Sequence, residues 1–71
     1  MRIVCKSRSI EFGIIELGAM IFLESAMFKR SDLTDIFDKW LSGEDEIEVD
    51  EELFLEVVLL YGVLKGGVKV E

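Results

Sequence analysis

The groups in this sequence that are best suited to chemistry are carboxylates. Glu16 and Glu24 lie eight residues apart in a segment with helical spacing, and seven acids occupy the nine positions 44–52. Paired carboxylates can act as general acid and base when their protonation is balanced near neutral pH. On a water-facing helix the same residues only keep the helix soluble, and we adopt that interpretation for Glu16 and Glu24.

Metal binding is not expected from the acidic run or from the single cysteine. Residues 44–52 lack the glycine that an EF-hand loop needs between its ligand positions. Cys5 has no second cysteine with which to form a disulfide or a thiolate zinc site. We therefore predict a solvated acidic loop, no metal site and no cofactor.

Catalysis is also not expected. The chain has no histidine, so neither a Ser-His nor a Cys-His pair can form. Gly66-Gly67 lacks the Lys-Ser/Thr context of a phosphate-binding loop. We predict that the protein is not an enzyme and has no small-molecule substrate.

The charge of the chain argues against nucleic acid and membranes as partners. Fifteen acids and eight bases give a net charge of −7, which opposes binding to phosphates and to anionic lipid surfaces. The apolar segment between Gly13 and Phe28 is interrupted by Glu16 and Glu24, so it is too short in uncharged residues to cross a bilayer. We expect a cytoplasmic protein.

The elements that must position these groups follow from hydrophobic spacing and capping residues. The patterns predict a strand at 1–6, a turn at 7–9, a helix from Ser9 to Phe28 and a second helix over 32–42 that Gly43 ends. Ile47-Glu48-Val49 alternates like a brief strand. Asp50 caps a third helix that Gly62 stops, and Gly66-Gly67 joins 63–65 to 68–70 as a hairpin.

This element order predicts an α+β, mainly helical chain forming one winged-helix-like domain over residues 1–71; a plain three-helix bundle is the alternative. In a winged helix the third helix would enter the DNA major groove. Here it would present Glu51, Glu52 and Glu56, which repel phosphates and read no base edge. The sequence therefore predicts the shape of a DNA-binding domain without side chains on the third helix that could bind phosphates or base edges.

Protein binding is the remaining class of function, because the third helix is apolar on most sides. From Leu53 to Tyr61 only Glu56 is charged, and Leu55 and Leu59 form a stripe with no evident cover within the chain. A tightly packed small core is the alternative explanation. The predicted interface residues are four apolar anchors and three steering acids: Trp40, Leu55, Leu59, Tyr61, Glu44, Asp45 and Glu46.

The sequence resembles the small middle components of bacterial ABC-three-component systems, the group that includes Lamassu-type antiphage operons. The similar segments are an apolar first helix, a second helix with acids and leucine, an aromatic and aliphatic third helix, and a closing strand: 14–28, 32–37, 54–61 and 68–71. Gly62 follows Tyr61 directly, so the corner after the third helix is shorter than in the family. The resemblance implies a winged-helix-like accessory subunit for antiviral defence that joins an SMC-like ATPase to an effector.

We therefore expect a non-catalytic adaptor subunit of a multi-subunit complex, with a protein partner that is an ATPase or an effector. Two alternatives remain open. One is a small acidic inhibitor from a phage or mobile element that blocks a nucleic-acid site on a host enzyme. The other is an autonomous homodimer that packs its third helices together.

Overall fold

The structure, a computed structural model, describes residues 1–66. Its elements in chain order are β1 (Arg2–Cys5), β2 (Arg8–Glu11), α1 (Ile14–Phe28), α2 (Leu33–Leu41), β3 (Glu46–Glu48) and α3 (Glu51–Leu64). The architecture is α+β and mainly helical, as the sequence predicts.

The three strands form one mixed sheet in the order β2-β1-β3, with β1 antiparallel to β2 and parallel to β3. The register places Ile10, Ile3 and Ile47 side by side in one row. Ile3 and Ile47 are buried, whereas Glu46 and Glu48 on either side of Ile47 are exposed. Because side chains alternate between the faces of a strand, one face of the sheet meets the core and the other is polar.

The N-terminal region differs from the sequence-based prediction. Ser9 does not cap a helix; residues 8–11 form β2, and the turn that precedes it is Lys6–Ser7, with Lys6 at φ 58. Pairing with β1 places the half-buried Ile10 beside Ile3, and this contact outweighs the weak local preference for helix. The first helix starts only at Ile14, after Gly13.

Capping explains most of the other helix ends. Gly13 precedes α1, and its N–H donates to Glu16 Oε1 at 2.8 Å. Gly43 follows α2 at φ 101, a conformation that favours glycine. Asp50 caps α3 by accepting from the Leu53 N–H at 2.8 Å, as the sequence predicts.

The end of α3 corrects a second expectation. Gly62 does not stop the helix, which continues to Leu64. Gly62 costs about 1 kcal/mol relative to alanine in a helix, but continuing the helix packs Leu64 against the core. Residues 63 and 64 therefore cannot form the first strand of the predicted wing, and the second strand, 68–70, lies outside the described residues.

The core lies between the sheet and the helices, with α1 packed against both α2 and α3 and α3 packed against β1. Cys5 is buried there as a free thiol. The buried apolar side chains are Ile3, Cys5, Phe12, Leu17, Met20, Leu33, Ile36, Ile47, Phe54, Val57 and Leu60.

Candidate functional site

The outward side of α1 carries large apolar residues in water. Ile15 is 85% exposed and Phe22 is 73% exposed, whereas Leu17 and Met20 on the other side are fully buried. Ile15 and Phe22 are seven residues apart, which places them on one stripe of the helix. This helix therefore buries one side and presents a second apolar stripe to solvent.

The outward side of α3 has the same character. Leu55 is 52% exposed, and Val58 and Leu59 are each 42% exposed, whereas Val57 and Leu60 are fully buried. The sequence predicts this position for Leu55 and Leu59, because neither belongs to the stripes that can pack inward.

The two exposed stripes belong to helices that pack against each other. Glu16 at the start of α1 forms an ion pair of 3.2 Å with Lys65, just beyond the end of α3, so the two helices run antiparallel. Each helix turns one side to the core and exposes the other. We call these two exposed stripes together the outer apolar face, defined by Ile15, Phe22, Leu55, Val58 and Leu59.

Trp40 and Tyr61 are not part of this surface. Trp40 is half-buried on α2, where its ring stacks on Phe37 with centroids 6.4 Å apart. Tyr61 is half-buried against Phe12, with ring centroids 5.8 Å apart. Although both are on the expected helices, the structure does not bring them together with Leu55 and Leu59.

The predicted steering acids lie elsewhere again. Glu44, Asp45 and Glu46 are exposed in the loop before β3 and at its start. Glu46 pairs with Arg2 at 3.3 Å, and Asp45 lies 3.8 Å from the N-terminal amine. These acids therefore belong to a different element from the outer apolar face. The exposed acids one turn before Leu55 on α3 are Glu52 and Glu51, and Glu51 pairs with Arg8 at 3.4 Å.

Two acids that the sequence places in water are buried. Glu24 is 0% exposed and Glu56 is 7% exposed, which corrects both the solubility role given to Glu24 and the groove-facing position given to Glu56. Glu24 Oε1 accepts a hydrogen bond from the Leu33 N–H at 3.0 Å. It thereby caps α2, since the Asp32 side chain makes no cap hydrogen bond.

Glu56 is held by Arg30, which donates to Glu56 Oε1 and also pairs with Asp32 Oδ2 at 3.2 Å. Carboxylate oxygens of Glu24, Asp32 and Glu56 all lie within 4.8 Å of one another. We call these three residues the carboxylate cluster. Burial, together with the neighbouring Glu56 carboxyl, raises the pKa of Glu24 from 4.5 to about 7.

Glu16 behaves differently from Glu24 although both lie on α1. The Gly13 N–H and the Lys65 ammonium hold the pKa of the Glu16 carboxyl below its ordinary value. Glu16 is only partly covered and ties the ends of two helices together. The two acids therefore do not act as a pair, and Glu24 works instead with residues from α2 and α3.

The exposed apolar stripe on α1 was not predicted from the sequence, although a signal was present. Ile15 and Phe22 lie directly opposite Leu17, Met20 and Glu24 around the helix. No comparable signal marks the carboxylate cluster, because its three members lie on three elements and meet only in the folded chain.

Comparisons with protein-family models, with curated proteins and with solved structures found no match to this chain. Within residues 1–66, none of the helices has both the length and the apolar character needed to span a bilayer.

Proposed function

We propose that this protein is a non-catalytic binding subunit that attaches to a partner protein through the outer apolar face. The observation that carries the proposal is the exposure of Ile15 and Phe22 on a helix whose opposite side is fully buried. Five large apolar side chains are exposed on two helices that pack against each other, and a large exposed apolar patch on a monomer is often functional.

The charge around this surface specifies the chemistry of the partner. Glu51 and Glu52 are exposed at the start of α3, beside Leu55, and the whole chain carries −7. A complementary surface has an apolar centre bordered by Lys or Arg. The charges would raise the association rate, and the apolar contact would supply the affinity.

The proposal includes a winged-helix-like arrangement in which α3 takes the position of a recognition helix. The exposed side of α3 offers Leu55, Val58 and Leu59 with two acids, and none of these side chains neutralises a phosphate. A protein surface is therefore the better match for α3 than a DNA groove. The setting that we propose, from the resemblance to middle components of ABC-three-component systems, is an adaptor between an ATPase and an effector.

Site-specific photo-crosslinking in the native cell tests the proposal. A benzophenone amino acid replaces Phe22 or Leu59 in two variants, and Leu41 in a control. Leu41 is a matched control because it is 60% exposed and apolar but lies on α2, outside the outer apolar face. We expect one discrete adduct with a second protein from positions 22 and 59 and no such adduct from position 41.

Three results would contradict the proposal. Adducts between two copies of this chain alone would indicate a homodimer. Binding that disappears in about 1 M NaCl and competes with nucleic acid would indicate an inhibitor of a nucleic-acid-binding enzyme. Equal labelling from positions 22, 59 and 41 would indicate unspecific contact.

A further inference from the structure

The carboxylate cluster is a second feature of the molecule, independent of the outer apolar face. It forms where the C-terminal half of α1, the residue preceding α2 and the second turn of α3 converge. Glu24 and Glu56 are buried, whereas the side chain of Asp32 is 58% exposed. The cluster therefore has a buried side and a side open to water.

Two oxygens of the cluster have no hydrogen-bond partner among residues 1–66: Oε2 of Glu24 and Oε2 of Glu56. Each carboxylate is held through its other oxygen, Glu24 by the Leu33 N–H and Glu56 by Arg30. A buried carboxylate oxygen without a donor is costly. The fold thus fixes both side chains by one oxygen and leaves the second oxygen available to a ligand.

The net charge of the cluster indicates that such a ligand would be positively charged. Three carboxylates share one guanidinium, that of Arg30, whose side chain is 47% exposed. The formal balance is three negative charges against one positive charge. A divalent cation would neutralise the remaining two charges, whereas a single shared proton would neutralise one.

The spacing of the oxygens suits a large divalent cation. All three ligand oxygens lie within 4.8 Å of one another. Oxygens on opposite sides of Ca²⁺ are at most about 5 Å apart, since each Ca–O distance is about 2.3–2.6 Å. Mg²⁺ demands near-ideal octahedral geometry and gives up its water reluctantly, so a partly buried carboxylate site suits it less well than it suits Ca²⁺.

A cleft between α2 and α3 gives such an ion a route to the cluster. Its volume is about 470 Å³, and Asp32 and Glu56 lie in its wall. Other acids in the same wall attract cations toward it, with Arg30 and Lys39 opposing them. These further acids are Asp35, Glu48, Asp50 and Glu52. The cleft also has room for the water molecules that complete the coordination shell of Ca²⁺.

We propose that Glu24, Asp32 and Glu56 bind a divalent cation, Ca²⁺ in preference to Mg²⁺, which enters through the cleft between α2 and α3. The ion joins α1, α3 and the start of α2, so its binding stabilises the packing of the three helices. The site does not depend on the outer apolar face, and either proposal can fail without the other.

Thermal unfolding of the full chain tests the site, with circular dichroism as the readout. The protein is first stripped with a chelator and then titrated with CaCl₂, with MgCl₂, or with NaCl at equal ionic strength. We expect a saturable rise in Tm with Ca²⁺ of roughly 5 °C or more once Ca²⁺ is in large excess over its Kd. Mg²⁺ should give a smaller rise, and NaCl should not reproduce the effect of Ca²⁺.

Amide variants locate the ion. Glu24→Gln and Glu56→Gln should abolish the Ca²⁺-dependent rise in Tm, whereas Asp35→Asn and Glu48→Gln, which change acids of the cleft outside the cluster, should keep it. Asp32→Asn provides a variant at an exposed position in case the buried variants do not fold, and it should reduce the rise. Calorimetric titration with CaCl₂ should show the same pattern: binding to the unchanged chain, Asp35→Asn and Glu48→Gln, and no binding to Glu24→Gln or Glu56→Gln.

Three results would overturn the proposal. One is a Tm that does not change with Ca²⁺ at millimolar concentration. Another is a rise in Tm that NaCl reproduces, which would show that Ca²⁺ acts by screening the acidic surface. The third is a rise that is unchanged in all three cluster variants, which would place the ion elsewhere.

Discussion

The outer apolar face and the two buried acids of the carboxylate cluster are built on the same two helices, and each reverses the usual placement of its residue type. On α1, Phe22 is exposed while Glu24, two residues later, is fully buried. On α3, Leu55 is exposed while Glu56, the next residue, is buried. Apolar side chains normally lie inside, and charged ones lie outside unless they are paired.

The two regions differ in whether the chain itself supplies a partner for the side chain. Glu24 can be buried because the unpaired N–H at the start of α2 needs an acceptor, and Glu56 can be buried because Arg30 reaches it. No similar internal partner exists for Phe22 among the described residues, because the opposite side of α1 already fills the core. Each buried acid has one oxygen hydrogen-bonded within the chain, whereas the side chains of the outer apolar face remain exposed.

The largest difference in stability is expected between alanine variants of two adjacent leucines on α3. Leu60→Ala should lower the free energy of unfolding by about 3 kcal/mol, because it removes a fully buried side chain and leaves a cavity. Leu59→Ala should change it by less than about 0.5 kcal/mol, since its side chain is on the outer apolar face. Urea denaturation of both variants measures the difference. Similar losses would mean that the outward side of α3 is covered within the chain.

The pH dependence of stability tests the buried side of the comparison. With a chelator present, the raised pKa of Glu24, about 7 against 4.5, means that the folded chain holds a proton that the unfolded chain releases. Stability should therefore fall by about 3 kcal/mol as pH rises from about 4.5 to about 7.5. Urea denaturation across this range measures it.

Glu24→Gln is the matched control for that measurement, because the amide cannot ionise. Its stability should vary much less with pH over the same range. An unchanged pH dependence in the variant would assign the titration to another group and contradict the buried state of Glu24.

A smaller gain in stability is expected on the outward side of α1. Gly18→Ala should raise the free energy of unfolding by about 0.5–1 kcal/mol, since alanine favours a helix and a Cβ at this position meets no atom within 4 Å. If a partner backbone approaches closely here, the same variant should bind the partner more weakly. Thermal unfolding and a binding titration separate the two effects, and a loss of stability would contradict the open space around Gly18.

The smallest effect on stability, and the largest on association, is expected at Phe22. Phe22→Ser should change the free energy of unfolding by no more than about 0.5 kcal/mol, because the side chain is mostly exposed. It should nevertheless prevent copurification of the partner, whereas Leu41→Ser on α2 should not. If both variants retain the partner, the outer apolar face is not the binding surface.

Local signals predicted the parts of the fold in which neighbouring residues determine the structure. Asp50 followed by Glu51 and Glu52 predicted the start of α3, and Gly43 predicted the end of α2. The spacing of Leu55 and Leu59 predicted that they would face away from the core. The predicted helix boundaries were wrong where contacts between distant residues determine the structure. Residues 8–11 form β2 and not the start of α1, because Ile10 pairs with Ile3. Helix α3 continues beyond Gly62, because Leu64 packs against the core.

The sequence by itself determined the mainly helical α+β class, the helix caps at Asp50 and Gly43, the absence of histidine chemistry and the excess of apolar residues. These properties depend on composition and on residues within one or two turns of each other. Only the tertiary structure decided which apolar stripes remain exposed and which acids are buried. The reason is that Glu24, Asp32 and Glu56 are separated by up to 32 positions, so their proximity depends on the packing of three helices and not on any local pattern.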